Sequence, residues 1–154
     1  MWELILVGIV VVVAAWLMLR EDAGPTLYQR LGGVYNIAAV VNYFSDELLK
    51  NPILIQNPQL AAWDAEKRLP GLKFMRTLWF CQATGGPYEF VSSVGGEGLN
   101  LTNAHCPFKI SPSEFAEVTR VLQKSLQHYN VPAKEQQEVI AAFKAHQAEV
   151  TFCH

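Results

Sequence analysis

The beginning of the chain is its most apolar part. Leu4 to Leu19 is an uncharged run of 16 residues without a polar face, close to the minimum length for a helix that crosses a bilayer. A cleavable secretory signal needs a basic start and small residues at its end, but Glu3 precedes this run and bulky residues close it. We therefore expect an uncleaved membrane anchor over residues 1–20, with a buried core helix as the alternative.

A polar segment separates this run from the remainder of the chain. Residues 21–25 contain two acidic side chains followed by glycine and proline, a composition typical of a linker. Arg20 and Arg30 lie just after the apolar run and favour a cytoplasmic position for the domain beyond the linker. The expected organisation is a single-pass anchor, a linker and one domain over residues 26–154.

Apolar residues in the first half of the domain recur at helical spacing. Asn51-Pro52 ends one such pattern, and Gly85-Gly86-Pro87 ends another. The predicted segments are a helical turn or two over Thr26 to Leu31, a helix from about Val34 to Lys50, a corner over Ile53 to Pro58, a short helix over Gln59 to Arg68 that ends before Pro70, and a helix over Gly71 to Thr84.

The second half contains the clearest helix start. Ser111, Pro112 and Glu114 form a capping-box pattern that opens a helix reaching about Tyr129. A last helix begins near Pro132 and carries Val139, Ile140, Phe143 and Val150 on one face, whereas Tyr88 to Asn100 is predicted to be an exposed loop. Because no segment alternates as a strand does, we expect an all-α domain.

Composition narrows the function classes. The chain has 154 residues, is 51% hydrophobic and carries a net charge of −2, so we expect a packed domain without the basic face that nucleic-acid binding needs. Its three cysteines are widely spaced and form neither CxxC nor CxxCH. We therefore expect no disulfide framework, no zinc site and no covalent haem attachment, and we expect Cys153-His154 to be a frayed end.

His105 is the residue that suggests chemistry. It lies in a short apolar segment, Leu101 to Ile110, that leads into the helix opened by Ser111. A single imidazole on an apolar turn facing a second apolar helix is how many proteins bind a haem iron by one axial ligand. On the residues alone, a structural histidine in the core remains the alternative.

Four motifs, in order along the chain, carry a resemblance to a known family. They are Thr26-Leu27-Tyr28-x-Arg30-Leu31-Gly32-Gly33, Cys81-Gln82-Ala83-Thr84-Gly85-Gly86-Pro87-Tyr88, Ala104-His105 followed by Ile110-Ser111 and Phe115, and Val131-Pro132-Ala133. Together they resemble the group 1 truncated haemoglobins over about Thr26 to Val150. The resemblance implies a two-over-two globin fold around a non-covalent haem b.

The resemblance also implies roles for individual residues. His105 matches the proximal histidine that binds iron, and its second ring nitrogen is expected to donate to a nearby acceptor. The residues expected to contact the haem are Phe44, Leu72, Lys73, Met75, Arg76, Trp79, Phe80, Leu101, Phe108, Ile110, Phe115, Val118 and Leu122.

The distal side departs from the family. The position of the usual ligand-binding tyrosine is occupied by Ser45, and Tyr43 lies about 200° away around the helix. Leu72 and Arg76 complete the expected distal pocket. Arg76 either donates to a ligand of the iron or pairs with a haem propionate or solvent, and Lys73 is expected to be a propionate partner or solvated.

Two functions follow from the resemblance. The first is reversible binding of a diatomic gas (O2, NO or CO) at a His-ligated haem iron near a membrane. The alternative is a haem enzyme that converts nitric oxide to nitrate with dioxygen, or reduces nitrite or nitric oxide. Since the chain contains no flavin or nicotinamide motif, turnover would need electrons from a separate membrane-associated reductase. A helical protein without haem is the remaining class.

Overall fold

The computed structural model describes residues 24–63, 65–88 and 101–153, and every element within them is helical. The predicted anchor over Leu4 to Leu19 and the predicted loop over residues 89–100 lie outside them. Within the described ranges, no helix has the length and apolar character needed to cross a membrane. The α-helices are α1 Leu27–Arg30, α2 Gly33–Leu49, α3 Pro58–Ala61, α4 Ala65–Ala83, α5 Leu101–His105, α6 Pro112–His128, α7 Ala133–Lys144 and α8 Gln147–Val150, with 3₁₀ turns at Leu54–Gln56 and Cys106–Phe108.

Two helix starts follow from local side-chain chemistry. At α6 the Ser111 hydroxyl accepts from the backbone N–H of Glu114, while the Glu114 carboxylate accepts from the backbone N–H of Ser111. Thr26 and Gln29 form the same reciprocal pair at α1. Each pair satisfies backbone N–H groups that have no partner inside the helix. The predicted capping box at Ser111 is confirmed.

Two predicted boundaries are wrong. The structure has a single helix α4 that runs through Pro70, instead of one helix ending before this proline and another beginning after it. Pro70 is the sixth residue of α4, so it leaves the carbonyl of Glu66 without its intrahelical N–H donor, yet the helix continues past it to Ala83. The last predicted helix is in fact two, because α7 ends at Lys144 and the short α8 begins at Gln147.

The long helices form two contacting pairs. Helix α2 packs on α4, α6 packs on α7, and α2 also crosses α6. The buried apolar residues of this core are Ile37, Val41, Phe44, Phe80, Cys81, Val121, Leu122, Leu126 and Val139. The Phe143 ring joins the pairs, since it stacks on Phe80 of α4 and on Phe115 of α6 at centroid distances of 6.1 and 5.2 Å.

A close approach of α1 to the end of α4 depends on a glycine. A Cβ atom on Gly86 would lie 2.6 Å from Cδ2 of Tyr28 and 2.8 Å from the carbonyl oxygen of Cys81. The backbone N–H of Tyr28 donates to the carbonyl of Thr84 at 2.8 Å across the same contact. The Gly85-Gly86 pair therefore allows the end of α4 to meet α1 without side-chain interference.

Asn57 ties the corner after α2 to the segment after His105. Its carbonyl oxygen accepts from the backbone N–H groups of Gln59 and Leu60, and its amide nitrogen donates to the carbonyl of Phe108 at 3.0 Å and to Glu114 at 2.9 Å. A buried amide with all of these partners is well satisfied. The side chain thereby connects the corner to the turn between α5 and α6.

The prediction that the cysteines form no disulfide is wrong. Cys106 and Cys153 form a disulfide, with a Cα–Cα distance of 5.0 Å and a sequence separation of 47 residues. The C-terminal segment is consequently attached to the residue next to His105 and is not a frayed end; His154 itself lies outside the described residues. Cys81 is free and fully buried. Wide spacing was a poor guide because helices bring residues that are distant in sequence into contact.

Candidate functional site

The five-residue helix α5 orients the imidazole of His105. Nδ1 of His105 lies 2.7 Å from the carbonyl oxygen of Leu101, one turn earlier in the helix. Since a carbonyl only accepts, Nδ1 must carry the proton of this hydrogen bond. In the neutral ring the lone pair then lies on Nε2, which is the arrangement that a metal-binding histidine requires.

The surroundings of His105 favour its neutral form. The ring is half-buried, and burial lowers the pKa of the imidazole. The Leu101 carbonyl opposes this shift, because it accepts from the ring, and the positive charge of Arg76 lowers the pKa of His105 further. A neutral imidazole with a free lone pair is ready to bind a metal ion.

Arg76 on α4 meets Ser45 on α2. Nη1 of Arg76 donates to the Ser45 hydroxyl at 3.0 Å, and the guanidinium carbon lies 5.6 Å from the centre of the Phe44 ring. Ser45 is fully buried, whereas Arg76 is half-buried. Desolvation lowers the pKa of Arg76 to about 10, so the guanidinium stays charged at neutral pH.

The charge of Arg76 is not neutralised by a carboxylate within the described ranges. Its polar partner there is the neutral hydroxyl of Ser45. One of five guanidinium N–H donors is used in this way, which leaves the others for a further acceptor. A desolvated cation with spare donors is a recognition group for an electron-rich or anionic ligand.

Lys73, one turn before Arg76, has a different environment. Its ammonium group lies 2.6 Å from the carboxylate of Asp46 and donates to the side-chain oxygen of Asn42 at 2.7 Å. The structure therefore gives Lys73 protein partners on α2. Of the two cations expected near the haem, Arg76 is the one without a carboxylate among the residues that the structure describes.

Comparison with known proteins places the chain in a family. Residues 26–152 match the family model described as bacterial-like globin. The chain belongs to this family. The search of the curated proteins found no match.

Solved structures of haemoglobins share the fold of this globin. The 2/2 haemoglobin from Synechococcus sp. PCC 7002, in the cyanomet state and with covalently attached haem, is 19% identical at a TM-score of 0.69; the alignment covers 83% of this chain and 99% of that one. Truncated haemoglobin from Tetrahymena pyriformis in its Fe(III) form is also 19% identical, with a TM-score of 0.66 and coverages of 82% and 97%. Haemoglobin from the thermophilic phototrophic bacterium Chloroflexus aurantiacus is 25% identical, with a TM-score of 0.64 and coverages of 82% and 97%. The predicted all-α, two-over-two globin fold is confirmed.

The other residues expected to contact haem lie on α2, α4, α5 and α6, except Phe108 in the 3₁₀ turn after α5 and Ile110 just before α6. Those that the core buries are Phe44, Phe80, Ile110, Phe115 and Leu122, whereas Leu72, Met75, Trp79, Leu101, Phe108 and Val118 are half-buried. Trp79 packs edge-on against Phe80 and His146 at centroid distances of 4.9 and 5.2 Å. The rings of His128 and Tyr43 stack at a centroid distance of 4.0 Å, so each of these side chains has the other as its partner.

These residues fit the haem that the globin fold implies. The fit rests on donor chemistry: the ring of His105 is held by the Leu101 carbonyl with its second nitrogen available, and Arg76, which donates to Ser45, has spare N–H donors. The half-buried aromatic and aliphatic side chains supply apolar walls. A cavity of about 420 Å³ between α2, α6 and α7 is a different space, since its lining includes Phe80 and Leu122 but neither His105 nor Arg76.

One residue pair at the site was not predicted from the sequence. Cys106 directly follows His105, and its disulfide to Cys153 joins α5 to the segment after α8. The position of Cys106 next to the candidate ligand was visible in the sequence. Its partner was not, because a spacing of 47 residues does not indicate pairing.

Proposed function

We propose that this globin binds a diatomic gas reversibly at the iron of a non-covalent haem b, with His105 as the proximal ligand. The observation that carries the proposal is the hydrogen bond from Nδ1 of His105 to the Leu101 carbonyl, which leaves Nε2 available for iron. A haem b held by His105 would supply an iron that binds O2, NO or CO. The protein itself orients the ligating imidazole and provides hydrogen-bond donors for the ligand.

On the proximal side, Leu101 and α5 orient the imidazole. The carbonyl of Leu101 holds the ring in one tautomer and one orientation, and a hydrogen-bonded partner of this kind raises the basicity of a ligating histidine. Half-burial keeps His105 neutral, so that a proton does not compete with iron for the ring nitrogen. The Asn57 contacts to Phe108 and Glu114 support the turn after α5.

On the distal side, Arg76 and Ser45 provide hydrogen-bond donors. A ligand that gains negative charge would be stabilised more strongly by the charged donor of Arg76 than by a neutral donor. The Ser45 hydroxyl positions the guanidinium, which keeps spare donors for the ligand. This pair replaces the distal tyrosine that the family resemblance leads one to expect at position 45.

The subgroup of the globin and its membrane anchor are part of the same proposal. The motifs around Gly32-Gly33, Gly85-Gly86 and His105 support membership of group 1 of the truncated haemoglobins. The apolar run from Leu4 to Leu19 supports a single-pass membrane anchor that positions the globin domain on the cytoplasmic side.

His105→Ala tests the central claim. We expect the purified variant to lose the Soret band and the ferric, ferrous and CO-bound spectra of the haem-loaded protein, and to recover part of them when imidazole is added. His128→Ala is the matched control, because His128 stacks on Tyr43 and has no place at the site. Unchanged ferric and ferrous spectra in His105→Ala would refute ligation by this residue.

The charge of Arg76 favours a second candidate, a haem enzyme that reduces nitrite or converts nitric oxide. A cation with spare donors attracts an anion such as nitrite more than it attracts a neutral gas. Electrons would come from a separate membrane-associated reductase. Sustained nitric oxide production from nitrite by the ferrous protein with membranes supplied, together with a slower rate in Arg76→Leu, would favour this enzyme; a single stoichiometric reaction would favour the gas binder.

A further inference from the structure

The disulfide between Cys106 and Cys153 has no role in the proposed chemistry, yet it lies directly beside the candidate iron ligand. Cys106 begins the 3₁₀ turn after His105, and Cys153 lies three residues after the end of α8. Their Cα atoms are 5.0 Å apart. The bond therefore joins the end of α5 to the C-terminal segment of the domain.

Helix α5 is short and lies near the surface of the domain. It contains five residues, and none of them is fully buried. Such a short helix is unstable by itself in water, so its position depends on tertiary contacts. Among the described elements, α5 packs on α8 and on the turn that contains Cys106. Helix α8 is also short and has no fully buried residue, and it packs on α6 as well as on α5. The disulfide adds a covalent restraint to this pair of elements.

The two bonded cysteines differ from the third in their accessibility. Cys106 and Cys153 are half-buried, whereas Cys81 is fully buried in the core. Burial also raises the pKa of the Cys81 thiol, which makes it a weaker nucleophile at neutral pH. A small thiol can therefore approach the disulfide but not Cys81.

We propose that Cys106 and Cys153 form a thiol–disulfide site that controls how firmly His105 retains haem. Two low-molecular-weight thiols are the reductant. The thiolate of the first attacks one sulfur of the disulfide, forms a mixed disulfide with it and releases the other cysteine as a thiolate, which takes up a proton. The second thiol resolves the mixed disulfide, so that two protein thiols and one oxidised reductant result from the transfer of two electrons and two protons.

Reduction weakens haem binding because it removes preorganisation. With the disulfide closed, α5 is held in place and His105 needs little ordering when it binds iron. With the disulfide open, α5 and α8 lose their covalent link and sample more arrangements, and ligation must also order them. The iron–imidazole bond then forms at a greater entropic cost, and haem leaves more readily.

This inference rests on the proposed haem ligation by His105, and the experiment separates the two. The haem-loaded protein is treated with dithiothreitol without oxygen and desalted, and thiols are counted after unfolding; the count should rise from one to three. Haem transfer to excess apomyoglobin is then followed at the Soret band. We expect transfer about fivefold faster or more after reduction, the lower end of typical coupling between linked sites.

Two variants test whether the Cys106–Cys153 disulfide causes the change in haem transfer. Cys153→Ser removes the disulfide far along the chain from His105, and it should lose haem as fast as the reduced wild type and not respond to the reductant. Cys81→Ala retains the disulfide and should respond as the wild type does. Equal transfer rates for the oxidised and reduced wild type would overturn the inference.

Hydrogen exchange gives a readout that does not need haem. We expect faster amide exchange in α5 and α8 after reduction, with α2 and α6 unchanged. Slow exchange in α5 in both redox states would show that the disulfide does not restrain this helix and would overturn the inference. If the protein takes up no haem at all, the proposed function fails and the control of haem retention fails with it, whereas the exchange data still decide whether the disulfide restrains α5.

Discussion

Replacing Arg76 by leucine removes the guanidinium that faces Ser45 while keeping an apolar side chain on α4. The structure indicates that stability should not suffer, because Arg76 has a neutral hydroxyl as its described polar partner and desolvation already disfavours its charge. Exchanging a poorly compensated charge for an apolar group is often neutral or stabilising. The loss should instead fall on the bound ligand.

The magnitude follows from the kind of hydrogen bond that is removed. A charged donor contributes about 1.5–3 kcal/mol, so its loss should accelerate dissociation of dioxygen about 10- to 150-fold. Ser45→Ala removes a neutral hydroxyl worth about 0.5–1.5 kcal/mol, which corresponds to about two- to tenfold. Because the Ser45 hydroxyl also holds the guanidinium at 3.0 Å, the two effects should not be additive.

Stopped-flow displacement of dioxygen by carbon monoxide measures these rates. Arg68→Leu is the matched control, since Arg68 is an exposed arginine on the same helix. We expect the rates of this control to equal those of the wild type, and the melting temperature of Arg76→Leu to be no lower than that of the wild type. Dissociation from Arg76→Leu within about twofold of the wild type, less than one neutral hydrogen bond, would refute the distal role of Arg76.

Three further predictions concern stability. Changing both Cys106 and Cys153 to serine opens a loop of 47 residues and should lower the free energy of unfolding by roughly 4 kcal/mol on the chain-entropy model, measured in guanidinium; a loss below about 1 kcal/mol would contradict this. Gly86→Ala should destabilise the protein by about 1–3 kcal/mol, because the new Cβ would meet Tyr28 at 2.6 Å, and thermal unfolding would reveal it. Hydrogen bonds from its arginine and asparagine partners lower the pKa of Glu117 to about 2, so its contribution is present above about pH 4.5 and is lost as the pH falls towards 2. Urea unfolding of Glu117→Gln should accordingly show a weaker decline of stability over this pH range, and an unchanged decline would argue against that role.

Local chemistry made a large part of the fold predictable. The capping box at Ser111 and the apolar spacing before Lys50 are short-range patterns, and the helices that they predict, α6 and α2, are present. The prediction failed at Pro70 because it treated proline as the end of a helix. An interior proline removes one backbone hydrogen bond, and α4 tolerates this loss and continues to Ala83.

In the candidate site, too, local features were predictable from the sequence and contacts between helices were not. His105 was recognisable because its neighbours, from Leu101 to Ile110, form one continuous segment and a motif. Its hydrogen-bond acceptor is also local, four residues earlier in α5. The contact between Ser45 and Arg76 joins two helices across 31 residues of sequence, and Lys73 finds its partners on α2 in the same way.

The sequence by itself determined the helical character of the domain, the segment that carries His105 and the unusual residues at positions 45 and 76, because these depend on spacing, capping and motif order. The tertiary structure decided which of those residues meet. It paired Arg76 with a hydroxyl and Lys73 with a carboxylate, and it brought Cys153 to Cys106. The physical reason is that helix packing sets the distance between residues far apart in the chain, and neither hydrophobic period nor residue spacing records that distance.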